Sequence, residues 1–348
     1  MERQLSASAG QQLDRFCRQY LQVTVELDYP ADEQLRDNAF QQCIYTRCFA
    51  DDVHHAPPPR YQLRVLKELV RRIERSIQDW DQESISDDLM NCLAPLLANP
   101  MPSEAAAAQQ KTYVTYSLSL LSPRNQPAPK IILYEARNML AAAGTTGLRT
   151  WEACLHLGNY LCTNPSIIRG HSVLELGSGT GYLSILCAKY LKPAHILATD
   201  GDDDVVASLP TNFYLNGLQD SSIIEAKELK WGHALTGEEH PEWNLGRKVD
   251  LVLGADLTYD PRNIPPLVST FAEIFELYPS AKILIAATVR SLETFEKFPE
   301  ACEMSGFSLQ ELVFEMPKED VQEGPFYSDQ ALVRLCLVTK TFKPGTEN

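Results

Sequence analysis

Three features of this 348-residue chain predict an α/β fold, a mostly parallel, doubly wound sheet behind a mainly helical N-terminal extension. From about residue 144, apolar strands alternate with helical segments. The first of those strands runs into a glycine-rich turn, LELGSGTGYLS (174–184). The first hundred residues read as helices. Strand–helix alternation implies parallel strands joined by crossover helices. Strands that are apolar throughout fit a sheet covered on both faces.

The chain is too long for one typical domain and suits two. The expected division is a mainly helical domain over 1–110, connecting strands over 111–143 and the alternating domain over 144–348. Hydrophobic content is 44% and charged content 22%, which fits a globular chain with a full core. No apolar run is long enough to span a bilayer, and the start, MERQLSASAGQQLDRF, has no apolar signal core. The nine cysteines are scattered without a CxxC pair, and the seven histidines lack ligand spacing. Reduced thiols in the cytoplasm fit better than a disulfide framework, and no metal is expected. The net charge of −15 is uneven, −4 over residues 1–125 and −11 over 126–348. An acidic C-terminal part disfavours direct nucleic-acid binding and would attract a cationic group on a partner.

In RYQLRVLKELVRRIERSIQDW (60–80), Leu63, Leu66, Val70, Ile73 and Ile77 recur at helical spacing, which predicts an apolar face. Arg60, Arg64, Lys67, Arg71 and Arg75 form a basic stripe by the same spacing, and a solvated face is the ordinary fate of such a stripe. NPMPSEAAAAQQ (99–110) reads as a connector. TYVTYSLSLL (112–121) and KIILYEA (130–136) read as strands around a proline-rich loop. Then come strand 171–176, helix 181–191, strand 195–200, helix 203–217 disturbed by Pro210, and strands 222–229 and 248–256. Helix 264–278, strand 281–289 and helix 291–306 follow. FSLQELVFEM (307–316) and ALVRLCLVTKTF (331–342) form a terminal strand pair.

The chemistry concentrates where these strands end. Gly177, Gly179 and Gly181 occupy the first strand-to-helix turn, where glycine permits positive φ and close ligand approach. A dinucleotide site would want glycine at the sixth position of GxGxxG, where Tyr182 stands, and no Lys or Arg lies near to meet a phosphate. GxGxG preceded by an acid, Glu175, is the pattern of S-adenosylmethionine sites, whose ligand has no phosphate. Asp200 ends the next strand and can accept hydrogen bonds from both ribose hydroxyls. Asp202, Asp203 and Asp204 suit the capping of the following helix, and Asn212 and Asn216 suit its end. Arg290 ends the fifth strand on the ligand side, where ion pairing and substrate contact are both open.

The segments GTTGLRTWEA (144–153), VLELGSGTG, LKWG (229–232) and ADLTYDP together resemble the family 16 branch of seven-strand protein methyltransferases. Within that branch GTTGLRTW, NFYLNG, TVRSLET (288–294) and GPFYSDQ look most like the family 86 group, the lysine methyltransferases of translation elongation factor 2. The resemblance covers about residues 130–340. It implies a seven-strand Rossmann-like class I methyltransferase sheet, S-adenosyl-L-methionine as cofactor, and elongation factor 2 as protein substrate. It also implies site roles. Trp151 would contact the cofactor, Gly177, Ser178 and Gly179 would line its methionine side, and Asp200 would hold the ribose. Trp231 would sit by the adenine and Ala255 would line the pocket. Asp256 and Tyr259 correspond to the family's DxxY motif at the substrate lysine.

Three other readings stand beside this one. They are the same chemistry on a different protein, a nicotinamide dehydrogenase, and a non-catalytic binding module that keeps the fold.

Overall fold

The computed structural model describes residues 6–101, 103, 110–122, 127–136, 146–235, 243–244 and 246–341. Most of the connector at 99–110 lies outside the described residues. So do part of the loop at 122–129 and the first two residues of GTTGLRTW. The chain forms two compact units, Met1–Met139 with Gln322–Phe326, and Leu140–Val321 with Tyr327–Asn348.

The first unit contains helices α1 (Ala7–Leu21), α2 (Asp32–Leu35), α3 (Asn38–Cys48), α4 (Pro59–Ser76) and α5 (Asp87–Ala98), and a two-stranded sheet. Ser6 caps α1 by accepting from the Ala9 amide. Ala9, Leu13, Phe16, Cys17 and Tyr20 then recur on one side and enter a shared core with Phe40, Ile44, Leu66 and Leu69. In α4 the buried apolar residues are Val65, Leu66, Leu69 and Ile73. Leu63, Val70 and Ile77 of the predicted face are only partly buried. The helical period holds, and the buried face is turned toward Val65 and Leu69. The basic stripe stays exposed; Arg71 pairs with Glu68 at 2.6 Å and Arg64 donates to the Val25 carbonyl at 2.8 Å. Strands β1 (Thr112–Ser117) and β2 (Lys130–Glu135) are antiparallel, with Val114 opposite Leu133.

Gln322–Phe326 belongs to this unit through polar contacts. The Gln22 side chain accepts from the Phe326 amide at 2.8 Å and donates to its carbonyl at 2.5 Å. Ser119 donates to the Gly324 carbonyl, and Arg15 to that of Gln322.

The second unit is a seven-stranded sheet. Its members are β3 (Ser172–Leu176), β4 (His195–Asp200), β5 (Ile224–Glu228), β6 (Leu251–Ala255), β7 (Lys282–Thr288), β8 (Phe307–Leu312) and β9 (Val333–Lys340). The order is β5-β4-β3-β6-β7-β9-β8. β3 to β7 are parallel, and β9 is antiparallel to both β7 and β8. All five residues of β3 are buried, Ser172 and Glu175 together with the apolar Val173, Leu174 and Leu176.

Among the described residues the helices of this unit are α6 (Glu152–Thr163), α7 (Tyr182–Leu186), α8 (Asp203–Leu215), α9 (Ile264–Leu277) and α10 (Leu292–Met304). α7 is shorter than the predicted 181–191, because Cys187–Leu191 continues as a π-helix. α8 runs through Pro210 without a break. Leu267, Phe271, Ile274 and Phe275 of α9 pack into a core with Val252, Ile283 and Ile285 from the sheet. Chain order reverses between β3, which proceeds to β4, and β6, which lies on its other side. In open α/β sheets the crevice beyond the strand ends at such a reversal is where ligands bind.

Candidate active site

The turn after β3 owes its shape to backbone that only glycine adopts easily. Gly177 has φ +61°, and a Cβ there would meet Leu257 Cδ2 at 2.6 Å and the Trp231 ring at 3.3 Å. Gly179 has φ +52°, and its amide donates to Asp200 Oδ2 at 3.0 Å. The other Asp200 oxygen accepts from the Asp202 amide at 3.1 Å. The turn and the end of β4 are thus held together by one carboxylate, whose pKa burial raises.

A cavity of about 700 Å³ opens at these strand ends, within the usual size range of small-molecule sites. Its lining includes Trp151, Glu175, Gly177, Ser178, Gly179, Asp200, Trp231, Ala255, Asp256 and Tyr259. These are the sequence-predicted site residues with one exception. Gly181 is not in the lining; it starts α7 at φ +81°, and a Cβ there would meet Leu209 at 2.8 Å. Its place is helix packing.

Two features bear on whether this cavity suits S-adenosylmethionine. Ser178 is buried in the lining, and its hydroxyl has no hydrogen-bond partner among the described residues. A Cβ on Gly179 would lie 3.0 Å from the Gly147 carbonyl, so the passage there admits only bare backbone. An unsatisfied hydroxyl, a carboxylate with acceptor sites beyond its two backbone bonds, and the partly buried Trp231 ring fit the donors, diol and adenine of such a ligand.

Glu175 is buried, accepts from the Ser184 hydroxyl, and is pushed up to about 8 by burial. Burial thus favours the protonated form of the acid before the glycine loop, which braces α7 through Ser184. Asp202 caps α8 by accepting from the Asp204 and Val205 amides. Asn212 donates to the Thr180 carbonyl and Asn216 to that of Asn212.

Asp256 answers why a buried strand should end in a carboxylate. Its backbone has φ +54°, an uncommon value that Asp tolerates better than most residues. The chain turns away from the sheet there, and the side chain takes over the ladder. Asp256 Oδ1 accepts from the Thr288 amide at 2.9 Å and Oδ2 from the Thr288 hydroxyl at 3.0 Å. Burial raises its pKa, with the Thr288 bonds and the Arg290 charge opposing. Tyr259 is half exposed, and its phenol oxygen accepts from the Thr146 hydroxyl at 3.3 Å. Thr146 also accepts from Trp151 Nε1 at 3.0 Å, so one short segment touches both aromatic residues.

Sequence reasoning missed Thr288, because only the β6–β7 register brings it to Asp256. It also missed Arg149 and Glu152. Arg149 Nη2 donates to Glu152 Oε1 at 3.3 Å, and its guanidinium lies 4.6 Å from the Trp151 ring centre. Arg290 takes the ion-pairing option, 3.6 Å from Glu152 and 4.0 Å from Asp256. Among the described residues no helix is long and apolar enough to cross a membrane, and no group of three acidic, His or Cys residues could hold a metal ion.

Comparison with known proteins places the site in context. The profile of a family described as lysine methyltransferase matches residues 138–303. The chain is 52% identical over 335 residues to protein-lysine N-methyltransferase EFM3 of Chaetomium thermophilum, covering 96% of this chain and 99% of that one. It is 35% identical over 193 residues to EFM3 of Saccharomyces cerevisiae, covering 51% and 54%. It is 25% identical over 358 residues to protein-lysine N-methyltransferase EEF2KMT of Bos taurus, covering 95% and 98%.

Proposed function

The chain belongs to the lysine methyltransferase family, as an S-adenosylmethionine-dependent protein-lysine N-methyltransferase, and from that premise we propose that its substrate is a lysine of translation elongation factor 2. The motif resemblance to the family 86 group supports this substrate, as does likeness along nearly the whole chain to the Bos taurus relative named EEF2KMT. The reaction would take place in the cytoplasm, in the part of the chain from 144 to 348.

The observation that carries the mechanism is one cavity that collects the glycine turn, Asp200 and the Asp256–Tyr259 pair. In this reading Asp200 receives the ribose hydroxyls, Trp231 covers the adenine, and Gly177, Ser178 and Gly179 line the methionine end. Trp151 and Ala255 complete the wall. Glu175 and Gly181 act from behind, one bracing the turn and the other seating the helix. Bound there, S-adenosylmethionine supplies an electrophilic methyl group on a positively charged sulfur.

The protein's task is to present a neutral amine in line with that methyl. A free lysine has a pKa of about 10.4, so about one in 2,500 is neutral at pH 7, a deficit of about 4–5 kcal/mol. Asp256 alone would worsen that deficit, because a carboxylate favours the ammonium. It therefore acts as a guide that draws in and orients the cationic side chain, and the proton passes to water. Tyr259 forms a wall of the entry, and its ring can also hold a methylated ammonium by cation–π attraction.

The test is transfer of labelled methyl groups into a cytosolic extract by the wild type and by Asp256→Ala, with the labelled band identified. Elongation factor 2 should carry the label, and Asp256→Ala should lose transfer by at least about 100-fold while cofactor affinity stays nearly intact. A different labelled protein would overturn the substrate, and normal labelling by Asp256→Ala would overturn the guide role. Gly179→Arg should instead abolish binding of S-adenosylhomocysteine in calorimetry.

A further inference from the structure

A guide carboxylate leaves the deprotonation problem open, and the structure holds a group suited to it. In the wall of the cavity Arg149, Asp256 and Arg290 join Glu152 in a cluster of four charges. Arg290 Nη2 is 3.6 Å from Glu152 Oε2 and 4.0 Å from Asp256 Oδ2. Arg149 Nη2 is 3.3 Å from Glu152 Oε1. Both guanidiniums lie on the Trp151 ring, at 4.6 Å for Arg149 and 5.3 Å for Arg290.

The contact between Arg290 and Asp256 is longer than a hydrogen bond, and the Asp256 oxygens are already bonded to Thr288. Arg290 is a half-exposed side chain. It meets Glu152 from α6, the Trp151 ring from the segment before that helix and Asp256 after β6, and Arg149 and Tyr259 share the cavity lining with it.

We propose that Arg290 is a positioning residue of the transfer reaction, whose fixed positive charge favours the neutral form of the acceptor lysine. The proposal rests on the reading above, in which Asp256 receives that lysine. An amine hydrogen-bonded to Asp256 Oδ2 would lie no farther than about 7 Å from the Arg290 guanidinium, given an ordinary bond length of about 2.9 Å. With Arg290 present, the two guanidiniums and two carboxylates cancel. Without it, a net charge of −1 faces the acceptor and holds it as the ammonium.

The balance of the step is simple. The ammonium loses one proton to water. The freed lone pair forms the N–CH3 bond as the S–CH3 bond breaks, and that bonding pair stays on the sulfur, which becomes neutral. Arg290 takes no proton and forms no bond. It shifts how often the lone pair is available.

The experiment is single-turnover transfer from labelled S-adenosylmethionine to the extract protein that the wild type labels, from pH 6.5 to 10. Solvent screening at a half-exposed side chain limits the effect, so Arg290→Gln should raise the apparent pKa of the rate by about one unit. That is about tenfold slower transfer at pH 7.5, converging with the wild type near pH 10. Arg290→Lys should keep the wild-type profile, and Glu152→Gln should move it toward acid. S-adenosylhomocysteine affinity should stay within about threefold in each variant. An Arg290→Gln profile with the wild-type pKa and a uniformly lower rate would overturn the proposal while leaving the methyltransferase reading intact. A wild type that labels no protein would remove that reading, and the proposal with it.

Discussion

Glu175 sets a pH dependence that belongs to one side chain. Burial pushes its carboxyl up to about 8, against about 4.3 in an unfolded chain. Between these values the folded state binds the extra proton. Its contribution to stability is full below about pH 4, declines across the window, and is gone above about pH 8. Glu175→Gln keeps a hydrogen-bonding partner for Ser184 but does not titrate. The melting temperature of this variant minus that of the wild type should rise from pH 5 to pH 8.5 by at least about 3 °C, the size of a change of about 1 kcal/mol. A difference that stays flat would show that Glu175 is ionised throughout. Thr288 gives a second test at this scale. Thr288→Val removes the hydroxyl bond to Asp256 and leaves the backbone bond. It should cost about 1 kcal/mol in urea unfolding and slow transfer several-fold without weakening S-adenosylhomocysteine. Equal weakening of both would mean that Asp256 acts through the cofactor pocket instead.

Elements were legible in the sequence to different depths, and α4 shows why. Its 3.6-residue period was plain, but its phase was not. The sequence puts apolar residues at 63, 65, 66, 69, 70, 73 and 77, more than one face can bury. Packing within the first unit selects Val65, Leu66, Leu69 and Ile73. Leu69→Ala should therefore cost about 2–5 kcal/mol in urea unfolding, and Leu63→Ala markedly less. The reverse order would contradict the observed face. The parallel strands were easier, because short apolar runs between helices leave little choice of partner or direction. Their ends were harder: β6 stops at Ala255, where a positive φ at Asp256 ends the ladder, and no composition signal marks that turn. The glycine turn and Asp200 could be read from local pattern. Thr288, Arg149 and Glu152 could not, since their roles arise from register and from rings and charges far apart in sequence.

The whole molecule carries a charge of −15, most of it in the part of the chain that holds the cavity. Long-range attraction of a basic substrate surface should make KM for the protein substrate rise several-fold between 50 and 300 mM salt. A KM unmoved by salt would mean that contacts at close range decide the encounter. The strand order bears on biosynthesis as well. β9 is the last strand of the sheet to leave the ribosome, yet it sits between β7 and β8. Until residue 340 has emerged, β7 presents an open edge and β8 lacks its partner, the kind of surface on which nascent chains mispair. The first unit waits too, because the Gln22 and Ser119 side chains bond to residues 322–326. A stop codon just before residue 333 would spare every described residue of the cavity and still leave an aggregation-prone polypeptide. Late nonsense alleles should thus behave as loss of protein rather than as loss of catalysis.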